Sequence, residues 1–188
     1  MIFPEARALD LPASLRLEPL TIGHAEQMLG VLSEPQLYAF TGGAAPELES
    51  LRDRYRRQSV GRSPDGTEAW LNWILVEPSS NRAVGFIQAT VRAVELGNLK
   101  QCAELAWLIG VPWQGLGYAS LAAREVLRWL RRQGVESFIA HIDPKNLASI
   151  KVAERLGFER TETMLDGEFR WEIAQPNSSQ YVCPLPIS

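Results

Sequence analysis

Gln114-Gly115-Leu116-Gly117-Tyr118-Ala119-Ser120 is the stretch of this chain whose residue types and spacing point most directly to chemistry. Its two glycines let the backbone come close to a ligand. It opens an amphipathic segment, Tyr118 to Arg132, with the period of a helix. The first N–H groups of a helix lack intrahelical partners, and with the positive end of the helix dipole they form an anion site. The first turn contains no Asp or Glu, which fits an anionic ligand supplying the charge. The plain alternative is a glycine-rich strand-to-helix turn, and a short glycine pattern does not choose between the two. Glu104 is a second chemical signal. It lies inside the apolar run Cys102 to Ile109, where alternation places it on one face with Ala106 and Leu108. A charged residue in a covered strand is either a proton acceptor or a carboxylate reaching solvent or an arginine. Asn146 opens a further helical segment, Asn146 to Leu156, and asparagine is a good N-cap.

The elements that must hold these groups follow from periodicity. Leu15 to Leu20 alternates as a half-buried first strand, and Thr21 caps a helix over Gly23 to Leu32. Ser33 to Pro46 is a loop, and Glu47 to Gln58 is an arginine-rich second helix whose Arg52 to Arg57 cluster reads as a solvated face. Ala69 to Glu77 and Ala83 to Arg92 form a hairpin across Pro78-Ser79-Ser80-Asn81, and Cys102 to Ile109 extends it to an antiparallel meander. After the helix ending at Gly134 come a strand at Ser137 to Ile142 and the helix from Asn146. A turn at Asp166-Gly167 and a last strand at Tyr181 to Cys183 complete the chain. The expectation is one α/β domain.

With 188 residues, 46% hydrophobic and 22% charged, the chain can bury a sizeable core. A net charge of −3 excludes a basic nucleic-acid footprint. The longest apolar run, Ala69 to Val76, is far short of the roughly 20 residues that a spanning helix needs, and Met1 to Pro12 has no secretory pattern. Cys102 and Cys183, with His24 and His141, make no metal motif, and two unrelated thiols in a cytoplasmic protein are the simpler reading.

Gln114-Gly115-Leu116-Gly117-Tyr118-Ala119 matches Q/R-x-x-G-x-G/A. With Asn146-Leu147-Ala148-Ser149, Glu154-Arg155-Leu156-Gly157-Phe158, and the order of elements, the chain resembles the GNAT superfamily of N-acetyltransferases over about residues 14–184. Leu15-Arg16-Leu17-Glu18-Pro19-Leu20 and Glu104-Leu105-Ala106-Trp107-Leu108-Ile109 resemble its Rim-type branch of protein N-terminal acetyltransferases. The resemblance implies an α+β fold, with a mixed, mostly antiparallel sheet splayed between its fourth and fifth strands and flanked by helices. It implies acetyl-CoA as co-substrate, its pyrophosphate on the N–H groups of Gly115, Leu116, Gly117, Tyr118 and Ala119 beside Gln114. The pantetheine arm would run along Leu108, Ile109 and Gly110 with Asn146 as partner. Glu104 would be the base and Ser149 the thiolate's proton source, with an oxyanion donor among the backbone N–H groups near Leu108 or Ile109. The acceptor would meet Tyr38, Phe40 and the terminal hairpin with Trp171, although these aromatics read equally as packing. Trp70, Trp73, Trp107 and Trp129 read as packing, and Lys151 as a solvated lysine or a phosphate contact. The family's helix tyrosine is replaced by Ala153, and its common glutamate by Leu121. The acceptor is a protein N-terminus or a small-molecule amine, with no nucleic acid or membrane partner, and the chain is a monomer or homodimer.

Two other readings compete. Gly115-x-Gly117-x-x-Ser120 nearly fits a dinucleotide fingerprint with Asp143 as ribose acid, but the preceding antiparallel meander lacks the parallel βαβ units this requires. The other is a CoA-binding module without transferase activity, which Ala153 leaves open and Glu104 disfavours.

Overall fold

The computed structural model describes residues 3–12, 15–40, 42–96 and 98–173, apart from the side chains of 94–99. The strands are β1 (Leu9–Leu11), β2 (Leu15–Pro19), β3 (Glu68–Glu77), β4 (Arg82–Leu96), β5 (Asn98–Ile109), β6 (Val135–Ile142), β7 (Glu159–Leu165) and β8 (Glu168–Ile173). The helices are α1 (Ala25–Val31), α2 (Leu48–Gln58), α3 (Tyr118–Arg132) and α4 (Leu147–Leu156). One sheet runs β1-β2-β3-β4-β5-β6-β8-β7, with every neighbouring pair antiparallel except β5 and β6. This is the α+β arrangement that the resemblance implies, a mixed and mostly antiparallel sheet flanked by helices. No helix among the described residues is long and apolar enough to cross a membrane.

The sheet is covered on both faces, which is why β3 reads as a nearly unbroken apolar run. Leu71, Trp73 and Leu75 turn toward α3, whose Ala122, Val126 and Leu130 form a fully buried stripe. Ile74 and Val76 turn the other way, toward Met28 of α1 and Leu51 and Tyr55 of α2. Trp73 and Trp129 meet edge to face with ring centroids 5.6 Å apart, worth about 1 kcal/mol beyond the area they bury. α4 stops at Gly157, whose φ of 85° no other residue adopts cheaply. The Phe158 N–H then returns to the Ala153 carbonyl, and the Phe158 ring enters the core.

Several boundaries differ from the sequence expectation. The three-residue β1 precedes the expected first strand, so the splayed pair is β5 and β6. The first helix starts at Ala25, because Ile22–His24 is a tighter 3-10 turn whose His24 Nδ1 accepts from the Thr21 N–H. Pro35–Tyr38 forms another such turn inside the expected loop. Cys102 is fully buried and disulfide-bonded, which corrects the expectation of two unrelated thiols. Cys183 and the expected strand at Tyr181 to Cys183 lie outside the described residues.

The feature that positions the site is the parting of β5 from β6. Their register runs only from Gln101↔Val135 to Glu104↔Ile139. Beyond it β6 pairs with β8 alone, while β5 keeps pairing with β4 as far as Ile109. On the β4 side contact is close: a Cβ on Gly85 would lie 2.3 Å from the Leu108 carbonyl oxygen, so only glycine fits.

Candidate active site

Where β5 ends, Gly110 leads through the 3-10 turn Val111–Trp113 to the start of α3. Gly115 and Gly117 have φ of 78° and 79°, a left-handed conformation that costs another residue about 1–2 kcal/mol. The N–H groups of Gly115, Leu116, Gly117, Tyr118 and Ala119 donate to no described residue. No carboxylate stands in the first turn of α3 or of α4. Gly115, Gly117, Tyr118 and Ala119 border a cleft of about 470 Å³, closed on its far side by α4. Lys151 and Arg155, one turn apart on α4, line it without an ion pair to any described residue. Free amide donors at a helix start, two cations and no lining acid make a site for a phosphorylated ligand.

The other end of the cleft is the gap between β5 and β6. Because Gly110 N–H donates to Val84 of β4, strand alternation turns Leu105, Trp107 and Ile109 main-chain groups toward the parted β6. The Ile109 carbonyl is taken by Gln114 Nε2 at 3.0 Å, which braces the loop on the strand. Ile109 and Trp107, rather than Leu108, therefore present unpaired N–H groups in this gap.

On the opposite face of the sheet a second cavity of about 350 Å³ lies under α2. Tyr38, Arg54, Asn72, Gln88 and Ala106 line it, and it meets the first cleft at Trp107 and Leu108, which border both. Its floor is fixed by Gln88 Nε2 donating to Asn72 Oδ1 at 2.8 Å, and Tyr38 is anchored by its hydroxyl donating to the Leu32 carbonyl at 2.7 Å.

Glu104 lies one strand repeat, about 7 Å, from Ala106 and outside the residues lining either space. It belongs to a hydrogen-bonded chain across four strands. Trp70 Nε1 donates to Glu68 at 2.9 Å, Arg92 bridges Glu68 at 2.5 Å and Glu104 at 2.9 Å, and Glu104 reaches His141 Nδ1 at 2.8 Å. Burial raises the Glu104 carboxyl, but hydrogen bonds from His141 and Arg92 and their charges outweigh it and hold it below the usual glutamate range.

The structure thus gathers most of the residues singled out in the sequence. Leu108, Ile109, Gln114, Gly115, Gly117, Tyr118, Ala119, Asn146 and Ser149 line one cleft. Asn146 also caps α4, its Oδ1 accepting from Ser149 N–H at 3.1 Å, while the Ser149 hydroxyl bonds to no described residue. Leu116 is exposed, and the Gly110 N–H is committed to β4, so Gly110 contributes packing room for Trp113 rather than a donor. Phe40 borders the amide-lined cleft, whereas Tyr38 borders the second cavity. Of the two readings of Trp171 the structure takes packing, since it is buried against Ala140. Trp107, read as packing, lies on both spaces. From the sequence alone Arg155 and Arg92 have no site role, and His141 is weighed only as a metal ligand. The four-residue spacing of Lys151 and Arg155 was a usable signal, while Arg92 and His141 carried none.

The model of the family described as "Acetyltransferase (GNAT) domain" matches residues 14–159. A search of curated proteins returns no match. Among solved structures, a GNAT-family acetyltransferase from Bacillus anthracis has 16% identity and a TM-score of 0.68, covering 89% of this chain and 98% of that one. The ribosomal L7/L12 α-N-protein acetyltransferase RimL in complex with coenzyme A has 18% identity and a TM-score of 0.69, with coverage of 88% and 97%. The aminoglycoside acetyltransferase AAC(6')-Ib in complex with coenzyme A has 19% identity and a TM-score of 0.68, with coverage of 87% and 95%. At these identities the likeness is one of fold.

Proposed function

Because the chain belongs to the GNAT acetyltransferase family, we propose that it is a single-domain, acetyl-CoA-dependent N-acetyltransferase that acts on a primary amine by direct attack. The observation that carries this reading is the meeting of two spaces at Trp107 and Leu108: an amide-rich, cationic cleft on one side of β5 and a polar cavity on the other. A transferase needs its two substrates to touch at one point, and β5 is bare of β6 there.

The residues present fit the coenzyme. The free amides of Gly115 to Ala119, with Lys151 and Arg155, suit its pyrophosphate. The main-chain edge of Trp107 and Ile109 suits the amide-bearing pantetheine arm. Bound in that gap, acetyl-CoA supplies a thioester carbonyl and a thiolate leaving group. The Ile109 or Trp107 N–H stabilises the charge that develops on the carbonyl oxygen, a role that backbone donors fill without reorganisation. Glu104 accepts the proton of the incoming amine through a water, since it stands back from the cavity. Ser149, with an uncommitted hydroxyl at the cleft wall, donates to the departing sulfur.

Calorimetric titration with acetyl-CoA and with NAD, followed by thiol release with an amine panel, tests the reading. Binding of acetyl-CoA alone, with amine-dependent release, is the expected result. Binding without release by any amine would favour a coenzyme-binding module.

A further inference from the structure

We infer that the acceptor amine carries a carboxylate, and that Arg54 and Arg57 hold it; this rests on the transferase reading above. The arginines of α2 divide into two sets. Arg52 pairs with Glu26 at 2.8 Å and Glu49 at 2.6 Å, and Arg56 pairs with Asp53. Arg54 and Arg57, one helical turn apart, pair with no carboxylate among the described residues. Both are exposed on the side of α2 that borders the acceptor cavity and its outer lobe, another space of about 350 Å³ reaching Thr90. Arg54, Gln58, Asn72 and Gln88 line both lobes, so the two are continuous.

No Asp or Glu is among the residues lining either lobe. The carboxylates next along the sheet, Glu68 and Glu104, share Arg92 and are spoken for. The polar floor is neutral, made of the Asn72–Gln88 amide pair. An acceptor with its amine at Trp107 and Leu108 therefore extends past two uncompensated guanidinium groups. A polycation meets repulsion there, whereas a carboxylate meets planar donors shaped to bind it. The same chemistry comes from a free amino acid, through its own α-carboxylate, or from a peptide N-terminus followed by acidic side chains.

The test compares matched acceptors in thiol release with acetyl-CoA. One pair is L-alanine against L-alaninamide, which differ only in the α-carboxylate. The second is an N-terminal Ala-Glu-Glu peptide amide against Ala-Gln-Gln, and spermidine and kanamycin are the polycations. The wild type is expected to favour the carboxylate member of at least one pair by about fivefold or more in kcat/KM, mainly through KM. Which pair responds identifies the source. In Arg54→Gln/Arg57→Gln, whose substituted positions are exposed, the preference falls toward parity and added salt erodes it in the wild type. Equal use of both members, a wild-type preference for the polycations, or transfer to none of these amines with acetyl-CoA bound overturns the inference while leaving the coenzyme site standing. Failure of acetyl-CoA to bind overturns the transferase reading and this inference with it.

Discussion

Glu104, which stands opposite Ile139 in the last register pair before β5 and β6 separate, reaches His141 two residues further along β6, its Oε1 2.8 Å from the histidine Nδ1. The histidine side chain is 7% exposed, and its Nε2 has no partner among the described residues. A carboxylate held by His141 on one oxygen and Arg92 on the other cannot turn freely, so its position relative to Ala106 is set by the sheet.

Glu104→Gln removes the proposed proton acceptor while keeping the shape. We expect kcat/KM to fall about a hundredfold or more, with the acetyl-CoA affinity nearly unchanged, as read by steady-state kinetics and calorimetry. The same substitution bears on stability. A carboxyl held below its unfolded value stabilises the fold above the unfolded pKa, and that contribution is lost as pH falls through the lowered value. Acid unfolding of Glu104→Gln is therefore expected to have a shallower pH dependence; an identical profile would count against the shift.

Lys151→Ala/Arg155→Ala removes the two cations of the amide-lined cleft but no core packing, since both residues are exposed. Acetyl-CoA affinity is expected to fall about tenfold, and its dependence on ionic strength to flatten. Calorimetry over a salt series decides this, and an unchanged slope would place the phosphates elsewhere.

Ser149→Ala tests whether the thiolate needs a proton donor. The hydroxyl makes no hydrogen bond to a described residue, so the melting temperature should not move. If Ser149 protonates sulfur, kcat drops about tenfold or more with KM unaltered. A rate equal to wild type would assign that proton to water.

Tyr55, on the buried face of α2, has its phenol pushed up to about 12 by burial. Since the folded value lies above the unfolded one, the stabilisation is complete below pH 10 and is lost as pH rises toward 12. Two pKa units correspond to roughly 2–3 kcal/mol. Tyr55→Phe should abolish that alkaline component in chemical denaturation measured from pH 8 upward, and a variant as alkali-sensitive as wild type would contradict it.

Local patterns determined much of this molecule. The helix Tyr118–Arg132 has its observed ends in the sequence because period, glycine and charge all agree there. The meander was legible for the same reason, since β3, β4 and β5 carry apolar runs separated by strong turn residues. β1 is too short to show a period, and β7, mostly exposed, has no apolar face to announce it. What only the tertiary structure decided are relations across strands and helices. Glu104 finds Arg92 and His141 at separations of 12 and 37 residues, through strand pairings that no local pattern encodes. Arg52 and Arg56 have carboxylates three residues back, Glu49 and Asp53, that the sequence already shows, but only the tertiary structure brings Glu26 to Arg52 and sets Arg54 and Arg57 against the open cavity. Periodicity reports which face of an element is buried. Which groups then meet on that face depends on register and topology, which only the folded chain sets.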